Sequence, residues 1–398
     1  MTRNSDYADD KRPKSQYGWN RRRFLANATG AASAASFASL GGDAAANPSP
    51  LPTLNPPLGI KPAQTRSPHY HAAKQIPPRR ETPQQRSAYE TRANWFHQAK
   101  YGLAFHFLAG MTEHKIRAKW TSEKWNAWVD SIDVEKAADQ AREIGAGYVM
   151  LTIGQNCQYY CAPNPVIEKH WQLEPGQYAS RRDLPADLYK ALKKRSIRLM
   201  LYMAADNQYR LPRPADLAGM ARFDRWVEVN RWYSDHYGDR CSGWWIDGLY
   251  ENIGPKDYTE RMHSALRHGN PDALLASGTY GLSDFTHGHA DMRSWARQQK
   301  MMLPYFGRWD AEYQIQWQVF QYLGRTWGGS TLGHRPSEML DYATKVVRGG
   351  GVITFDVGVF RDDRAAPGPF LDIPEVQRDQ LRAIQDALKD IPASDGKE

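Results

Sequence analysis

Residues 243–248, with the sequence GWWIDG, place a carboxylate, Asp247, at the end of a short apolar run and directly before a glycine. The amphipathic segment 223–237 precedes this run, so the pattern predicts a buried parallel strand that ends on one charged side chain. Barrels of α/β type carry their reactive groups at the carboxyl ends of their strands. Asp247 is therefore a candidate catalytic group, although a carboxylate at a strand-to-helix turn can also serve as a helix cap.

Other polar side chains end predicted strands in the same way. His106 closes the first strand, Gln155 and Asn156 follow the second, and residues 206–208 (Asp, Asn, Gln) follow the third. These mostly neutral donors and acceptors suit a polyhydroxylated ligand better than a phosphate or a metal ion. Each of them can also be an ordinary hydrogen-bonded loop residue, and His106 can be a core histidine.

Aromatic side chains are frequent, with 14 Trp and 21 Tyr in the chain and a cluster at Trp120, Trp125 and Trp128. Their planar faces can stack on the C–H groups of a sugar. Since most large aromatic residues belong to the core, this composition supports a sugar ligand without establishing one.

The elements that must position these residues alternate between apolar runs and segments of helical period. This alternation favours a TIM-like (β/α)8 barrel, with short and irregular late strands, over a doubly wound sheet. No G-x-G-x-x-G motif opens the first βα unit, as a dinucleotide-binding fold would require. The predicted strands are 101–107, 148–153, 197–203, 243–246, 273–277, 301–304, 326–330 and 352–355, and the predicted helices are 133–144, 184–194, 223–237, 258–267, 311–322, 336–347 and 374–388.

The first 86 residues are predicted to lie outside this fold. Three consecutive arginines at 21–23, a weakly apolar stretch and three alanines at 44–46 predict a twin-arginine signal peptide over residues 1–46, and hence a periplasmic or secreted protein. Residues 47–86 form a predicted Pro-rich disordered linker, 87–392 the barrel domain and 393–398 a disordered tail. No later stretch is apolar enough to span a bilayer, so the mature chain is expected to have no membrane span.

The formal net charge of +8 arises almost entirely in residues 1–90, and the remainder is close to neutral. The predicted barrel therefore offers no basic surface for nucleic acid. The three cysteines, Cys157, Cys161 and Cys241, are too few for a disulfide framework, and structural or inert thiols are expected. The C-x3-C spacing also lacks the second Cys/His cluster that a zinc site needs.

Several motifs, in the right order over about residues 90–390, resemble glycoside hydrolase family 29, the α-L-fucosidases. Residues 95–96 and 100–106 (WF and KYGLAFH) resemble the family's W-F…K-F-G-I-F-I-H-W-G, and residues 245–248 (WIDG) resemble its W-F-D-G, which carries the nucleophile. The further matches are 146–152 (AGYVMLT) to A-K-Y-x-V-L-T, 182–184 to R-D-L, 201–202 to the start of L-Y-Y-S, 349–353 (GGGVI) to G-G-N-L-L, and 373–375 to I-P-E.

The resemblance implies a retaining glycosidase without metal or organic cofactor, in which Asp247 attacks the anomeric carbon and a second carboxyl group protonates the leaving oxygen. Glu312 and Asp291 are the first candidates for the second group, followed by Asp284. The substrate would be an oligosaccharide or polysaccharide with a terminal deoxy-sugar or a related glycoside. The residues that correspond to the family's sugar pocket are His106, Trp125, Tyr202 and Trp245, with Gln155 and Asn156 at the place of two histidines.

The departures from the family pattern leave two alternatives open. Gln155 and Asn156 stand where family members carry K-H-H-D-G-F, Gln318 stands where they carry a glutamate, and the chain leaves no room for the C-terminal β-sandwich that often follows the barrel. Amide groups can hydrogen bond to hydroxyls but lack the proton chemistry of imidazole. The chain could therefore hydrolyse a glycoside of another sugar, or be a non-catalytic carbohydrate-binding or degenerate barrel.

Overall fold

The computed structural model describes residues 80–109, 120–212, 221–249, 254–288, 307–310, 312–360 and 368–393. Within these residues, seven parallel strands form one sheet in the order β5-β4-β3-β2-β1-β7-β6. The strands are almost entirely buried, as expected for a parallel sheet covered by helices. They are β1 (Tyr101–Phe105), β2 (Tyr148–Gly154), β3 (Arg198–Ala204), β4 (Gly243–Asp247), β5 (Leu274–Ala276), β6 (Gln318–Tyr322) and β7 (Val352–Asp356).

Amphipathic helices separate the strands, and side chains cap several of them. Thr82 accepts a hydrogen bond from the Gln85 amide at the start of α1, and Asp183 accepts one from the Ala186 amide at the start of α5. The helices are α1 (Pro83–Ala99), α2 (Ser122–Asp130), α3 (Val134–Glu143), α4 (Pro165–Trp171), α5 (Leu184–Lys193), α6 (Ala221–Tyr237), α7 (Tyr258–Arg267), α8 (Pro336–Arg348) and α9 (Glu375–Leu388).

Side chains alternate between two cores along each strand. In β4, Trp244 and Ile246 pack in the larger core beneath the helices, whereas Trp245 belongs to a second core on the other face of the sheet. Met200 and Tyr202 of β3 share that second core with Trp245. Because the period of a strand is two residues, Asp247 lies on the same face as Trp245, at the carboxyl end of β4.

A short irregular segment, residues 284–288, hydrogen bonds to both edges of the sheet. The Asp284 amide donates to the Leu275 carbonyl of β5 over 2.6 Å, and the Phe320 amide of β6 donates to the Gly288 carbonyl over 2.6 Å. Between these ends, the Thr286 amide donates to the Gln316 carbonyl over 3.0 Å. The segment therefore links the two edge strands, although the described residues do not form a complete barrel of eight regular strands.

The six predicted helices other than 311–322 are confirmed to within two residues at each end. The helix predicted over 311–322 is wrong, since its second half is strand β6. The glutamines of this stretch are compatible with a polar helix face, but Gln318 is buried and its Nε2 donates to Thr354 Oγ1 over 2.8 Å inside the sheet. The strand predicted over 326–330 is likewise a turn, and 301–304 lies outside the described residues.

The boundary predicted at residue 87 also shifts slightly. Helix α1 begins at Pro83, inside the predicted linker, because the Thr82 and Gln85 side chains and amides cap one another reciprocally and Pro83 favours the first helical turn. No described helix has both the length and the apolar composition needed to cross a bilayer.

Candidate active site

Asp247 is the only residue of β4 that is not buried, and it is partly exposed at the strand's carboxyl end. Gly248 follows with a φ of 73°, a left-handed conformation that lets the chain leave the sheet at once. Gln155, directly after β2, donates from Nε2 to Asp247 Oδ2, and the Tyr202 hydroxyl donates to the same carboxylate. Burial raises the pKa of Asp247, while the Tyr202 and Gln155 hydrogen bonds and the nearby His106 act in the opposite direction.

His106, directly after β1, is held by a carboxylate from the neighbouring strand β7. Its Nδ1 lies 2.6 Å from Asp356 Oδ1, and Asp356 Oδ2 accepts a hydrogen bond from the Gly328 amide over 2.6 Å. Since a carboxylate accepts hydrogen bonds, Nδ1 carries the proton and Nε2 is the remaining polar atom of the ring. The ring stacks on Phe320 at 5.7 Å and meets Tyr202 and Trp327 edge-on or tilted at 5.2 and 5.3 Å.

Trp245 forms a second aromatic wall beside Asp247. The ring of His287 stacks on it with a centroid distance of 3.8 Å, and Trp245 Nε1 donates to the His287 carbonyl over 3.2 Å. Tyr202 meets Trp245 edge-on at 4.6 Å. His287 is the second-last residue of the segment 284–288, so this segment reaches the same end of the sheet as Asp247.

The structure brings five of the sequence-predicted residues together: His106, Gln155, Tyr202, Trp245 and Asp247. Asn156 lies at the rim, exposed and with a φ of 55°, and its Oδ1 accepts a hydrogen bond from Arg210 Nη2 over 3.2 Å. Trp125 is a buried residue of α2. Its Nε1 donates to the Tyr160 carbonyl over 2.9 Å, and its ring packs against Phe107. It therefore supports the loops around the site rather than contacting Asp247.

Two of the three candidates for a second carboxyl group, Glu312 and Asp284, lie within the described residues. Glu312 lies in a turn before β6, which is held against α1 by the hydrogen bond of Arg86 to the Gln314 carbonyl and by the stacking of Arg86 on Trp309. This turn precedes the first residue of β6, and Glu312 as the second carboxyl group stays a prediction from the sequence. Asp291 lies outside the described residues.

Asp284 is fully buried and paired with two arginines. Arg92 Nη2 lies 2.7 Å from its Oδ1, and Arg267 Nη2 lies 2.6 Å from its Oδ2, which also accepts the Leu275 amide over 2.9 Å. Leu275 is level with Trp244 in the sheet register, near the start of β4. Asp284 thus anchors the irregular segment and lies at a distance from Asp247.

The sequence reasoning missed three residues of the site: Asp356, Trp327 and His287. Asp356 carried a usable signal, because it ends a buried apolar run (VITFD) just as Asp247 ends WWID. Trp327 fell within the strand predicted over 326–330. His287 had no comparable signal, since the segment 284–288 is too short and too irregular to be read as a strand.

The described residues contain no group of three or more His, Cys, Asp or Glu side chains arranged to hold a metal ion. The three cysteines are unpaired, and burial raises their pKa values, that of Cys241 to about 12. These thiols therefore stay protonated and are poor nucleophiles at neutral pH.

Solved structures with a similar fold include several glycoside hydrolases. One is MfFcnA4, an endo-fucoidan hydrolase of glycoside hydrolase family 107, with a TM-score of 0.57 and 18% sequence identity; the match covers 75% of this chain and 54% of MfFcnA4. Another endo-fucoidan hydrolase of that family, MfFcnA9, has a TM-score of 0.59 and 18% identity, and the match covers 78% of this chain and 65% of MfFcnA9. The α-L-fucosidase AlfC from Lactobacillus casei, in complex with its α-L-fucose product, has a TM-score of 0.53 and 17% sequence identity. This match covers 74% of this chain and 97% of AlfC.

The chain spans between half and two thirds of the length of the two endo-fucoidan hydrolases. No protein-family model matches the chain, and no curated protein is significantly similar to it in sequence. The comparisons thus show a fold shared with fucosidases and fucoidan hydrolases.

Proposed function

We propose that the protein is an exported, retaining glycoside hydrolase that acts on α-L-fucosides or on closely related deoxy-sugar glycosides. The observation that carries the proposal is the partly exposed carboxylate of Asp247, held by Tyr202 and Gln155 at the carboxyl end of a buried strand. The motifs shared with the α-L-fucosidases and the fold shared with AlfC and the endo-fucoidan hydrolases support it.

In this proposal Asp247 is the nucleophile that forms a covalent bond to the anomeric carbon. Its two neutral donors orient the carboxylate without neutralising its charge, whereas an arginine would hold it in a strong ion pair. His106, fixed by Asp356, presents Nε2 for a sugar hydroxyl, and the aromatic rings of Tyr202, Trp245 and Trp327 provide apolar faces for the sugar ring.

The same proposal includes a complete (β/α)8 barrel, in which the segment 284–288 occupies the gap between β5 and β6. Its hydrogen bonds to both edge strands support this closure. Gly288 has a φ of 60°, and a Cβ there would lie 2.2 Å from the Gln318 carbonyl oxygen, so the approach of the segment to β6 depends on glycine.

The experiment compares the purified chain with Asp247→Ala on a panel of aryl α-L-fucosides, other aryl glycosides and fucan oligosaccharides. We expect Asp247→Ala to lower the rate by roughly 10⁶-fold, the order seen when a catalytic nucleophile is removed. Asp224→Ala is the control, because Asp224 is a partly exposed carboxylate of α6 that pairs with Arg261. Equal rates for wild type and Asp247→Ala would exclude Asp247 as the nucleophile.

Azide provides a second readout of the same residue. In Asp247→Gly, azide can occupy the space of the missing carboxylate and attack the anomeric carbon directly. The product should be a glycosyl azide of inverted anomeric configuration, and the absence of any azide adduct would count against a covalent mechanism through Asp247.

A non-catalytic carbohydrate-binding barrel is the second candidate function. It is favoured by the direct hydrogen bond from Gln155 to Asp247, which engages the carboxylate and belongs to a residue that differs from the family's histidines. Binding of fucosylated glycans in calorimetry, without turnover of any substrate in the panel, would establish this candidate.

Export through a twin-arginine signal is also part of the proposal. Replacing Arg21, Arg22 and Arg23 by lysine should keep the protein in the cytoplasm, as measured by cell fractionation, while the wild-type chain reaches the periplasm or the medium. Export that is unaffected by this replacement would contradict it.

A further inference from the structure

Asp206 lies beside the end of β4, and the sequence singled it out only as one of the polar residues that follow the strands. Strands β3 and β4 are paired so that Ala204 is opposite Asp247, and the Ala205 amide donates to the Asp247 carbonyl over 2.8 Å. Asp206 is the next residue of the chain. Its Oδ1 lies 4.0 Å from the position that a Cβ on Gly248 would occupy, so the Asp206 carboxyl group lies over the residue that directly follows Asp247.

The surroundings of Asp206 differ from those of Asp247. Burial of the carboxyl group and the negative charge of Asp247 raise the pKa of Asp206, and the nearby Arg210 acts in the opposite direction. Asp206 as a whole residue is exposed, so its carboxyl group is shielded from water only on the side that faces the sheet. Of the described residues, only Asp206 itself, through its backbone amide, donates a hydrogen bond to this carboxyl group. Asp247, in contrast, receives side-chain donors from Tyr202 and Gln155.

This asymmetry assigns different protonation states to the two carboxyl groups. Hydrogen bonds to a carboxylate stabilise the charged form, so the donors Tyr202 and Gln155 favour Asp247 as the ionised member of the pair. A carboxyl group beside that charge holds its proton to higher pH, which is the environment of a general acid. The two raised pKa values belong to one coupled pair, and the donors decide which member carries the charge.

Building on the proposed glycosidase function, we propose that Asp206 is the acid/base catalyst that acts with Asp247. In the first step an Asp247 oxygen bonds to the anomeric carbon, the bond from that carbon to the leaving oxygen breaks, and Asp206 transfers its proton to this oxygen. In the second step Asp206 takes a proton from water, the water oxygen bonds to the anomeric carbon, and the bond to Asp247 breaks. The sum is hydrolysis with retained configuration.

His287 is the competing candidate among the described residues, because its ring stacks on Trp245 at the same end of the sheet. Its burial, at 5% exposure, contrasts with the exposed Asp206, which water and a leaving group can reach. Asp284, which the sequence also suggested, is paired with two arginines near the level of the start of β4. The geometry therefore favours Asp206.

The test uses the purified full chain, Asp206→Asn and His287→Gln on two glycosides of the same sugar, one with a dinitrophenyl and one with an alkyl leaving group. An acid catalyst matters only for the poor leaving group. We expect Asp206→Asn to slow cleavage of the alkyl glycoside by about 10²- to 10⁴-fold. Cleavage of the dinitrophenyl glycoside should show a burst followed by a slow phase, because water is no longer activated in the second step.

Azide and pH provide readouts that a purely structural role would not affect. Azide needs no base, so it should accelerate the slow phase of Asp206→Asn and give a glycosyl azide of retained configuration, opposite to that from Asp247→Gly. The alkaline limb of the wild-type pH profile should disappear in Asp206→Asn. Because the raised pKa of Asp206 means that its ionised form opposes folding, the variant should melt at or above the wild-type temperature, so lost activity would not reflect unfolding.

The outcomes separate this assignment from the proposed function. Wild-type protein that is inactive on every substrate overturns both. An active wild type with an Asp206→Asn variant of unchanged kinetics, or the described pattern in His287→Gln instead, overturns the assignment of Asp206 and leaves the glycosidase intact.

Discussion

Replacing Asp284 by alanine should destabilise the protein strongly while leaving its chemistry intact. The carboxylate is fully buried and accepts hydrogen bonds from Arg92, Arg267 and the Leu275 amide. Removing one partner of a buried ion pair costs about 3–5 kcal/mol, because the other partner stays buried and unpaired. The Arg92 and Arg267 side chains are 22% and 23% exposed, so water can partly replace the lost carboxylate. We therefore expect the lower end of this range, about 3 kcal/mol.

Thermal and denaturant unfolding measure this cost directly. For a domain of this size about 3 kcal/mol corresponds to a Tm that is lower by roughly 6–12 °C. Asp224→Ala is a suitable control because it removes an ion pair with Arg261 whose side chains are 50% and 35% exposed, and such pairs contribute about 0–1 kcal/mol. Below its Tm, Asp284→Ala should keep the wild-type kcat.

Two results would refute this reasoning. If Asp284→Ala melts at the same temperature as Asp224→Ala, the buried pair does not stabilise the segment 284–288. If the folded variant loses kcat and its alkaline pH limb, Asp284 is the acid catalyst that the sequence allowed, and its position away from Asp247 has been misjudged.

Three further predictions concern the site and the segment beside it. Asp356→Asn should lower kcat/KM by roughly 10- to 100-fold, because a charge-assisted hydrogen bond contributes about 1.5–3 kcal/mol and Asn has one acceptor oxygen where Asp356 uses two, for His106 Nδ1 and for the Gly328 amide. If the amide oxygen keeps the Gly328 amide, NMR should show the His106 proton moving to Nε2. Asp247→Asn should raise the Tm at neutral pH, since the raised pKa of Asp247 means that its ionised form opposes folding. The increase in Tm should shrink as the pH falls through the pKa of Asp247. An increase that is the same at every pH would contradict the burial of the charge. Gly288→Ala should destabilise the protein more than Gly248→Ala in chemical denaturation, although both glycines have a positive φ. A Cβ at Gly288 would lie 2.2 Å from a backbone oxygen, whereas a Cβ at Gly248 would lie 4.0 Å from the nearest side-chain atom. Equal effects would show that segment 284–288 does not approach β6 so closely.

The sequence predicted the ends of strands better than the contacts between them. Alternation of apolar runs with amphipathic helices located β1 to β5 and β7, and the residues that follow strands β1, β2 and β4 do meet at one end of the sheet. Strand β6 was missed because buried glutamines hydrogen bond within the sheet, and a local pattern cannot distinguish them from a polar helix face. Tertiary packing here overrides the local preference.

The partners of each carboxylate could not be predicted for the same reason. Asp356 reaches His106 across a gap of 250 residues, and Asp284 reaches Arg92 across 192. Spacing along the chain carries no information on such pairs until the register of the sheet is known. Glu312 and Asp284 were candidates because they follow the nucleophile strand along the chain; Asp284 is paired with two arginines, and Glu312 stays a prediction.

Asp247 and Asp284 show how the partners of a carboxylate separate a reactive role from a structural one. Asp284 is fully buried between two arginines, so its charge is compensated and it has no access to a ligand. Asp247 is partly exposed and receives hydrogen bonds from a phenol and an amide, which orient it but bring no positive charge. Uncompensated charge in a desolvated position destabilises the folded state, and functional sites retain such charge because the reaction needs it. The cost that Asp247 imposes on folding is thus itself an argument that the carboxylate is kept for chemistry.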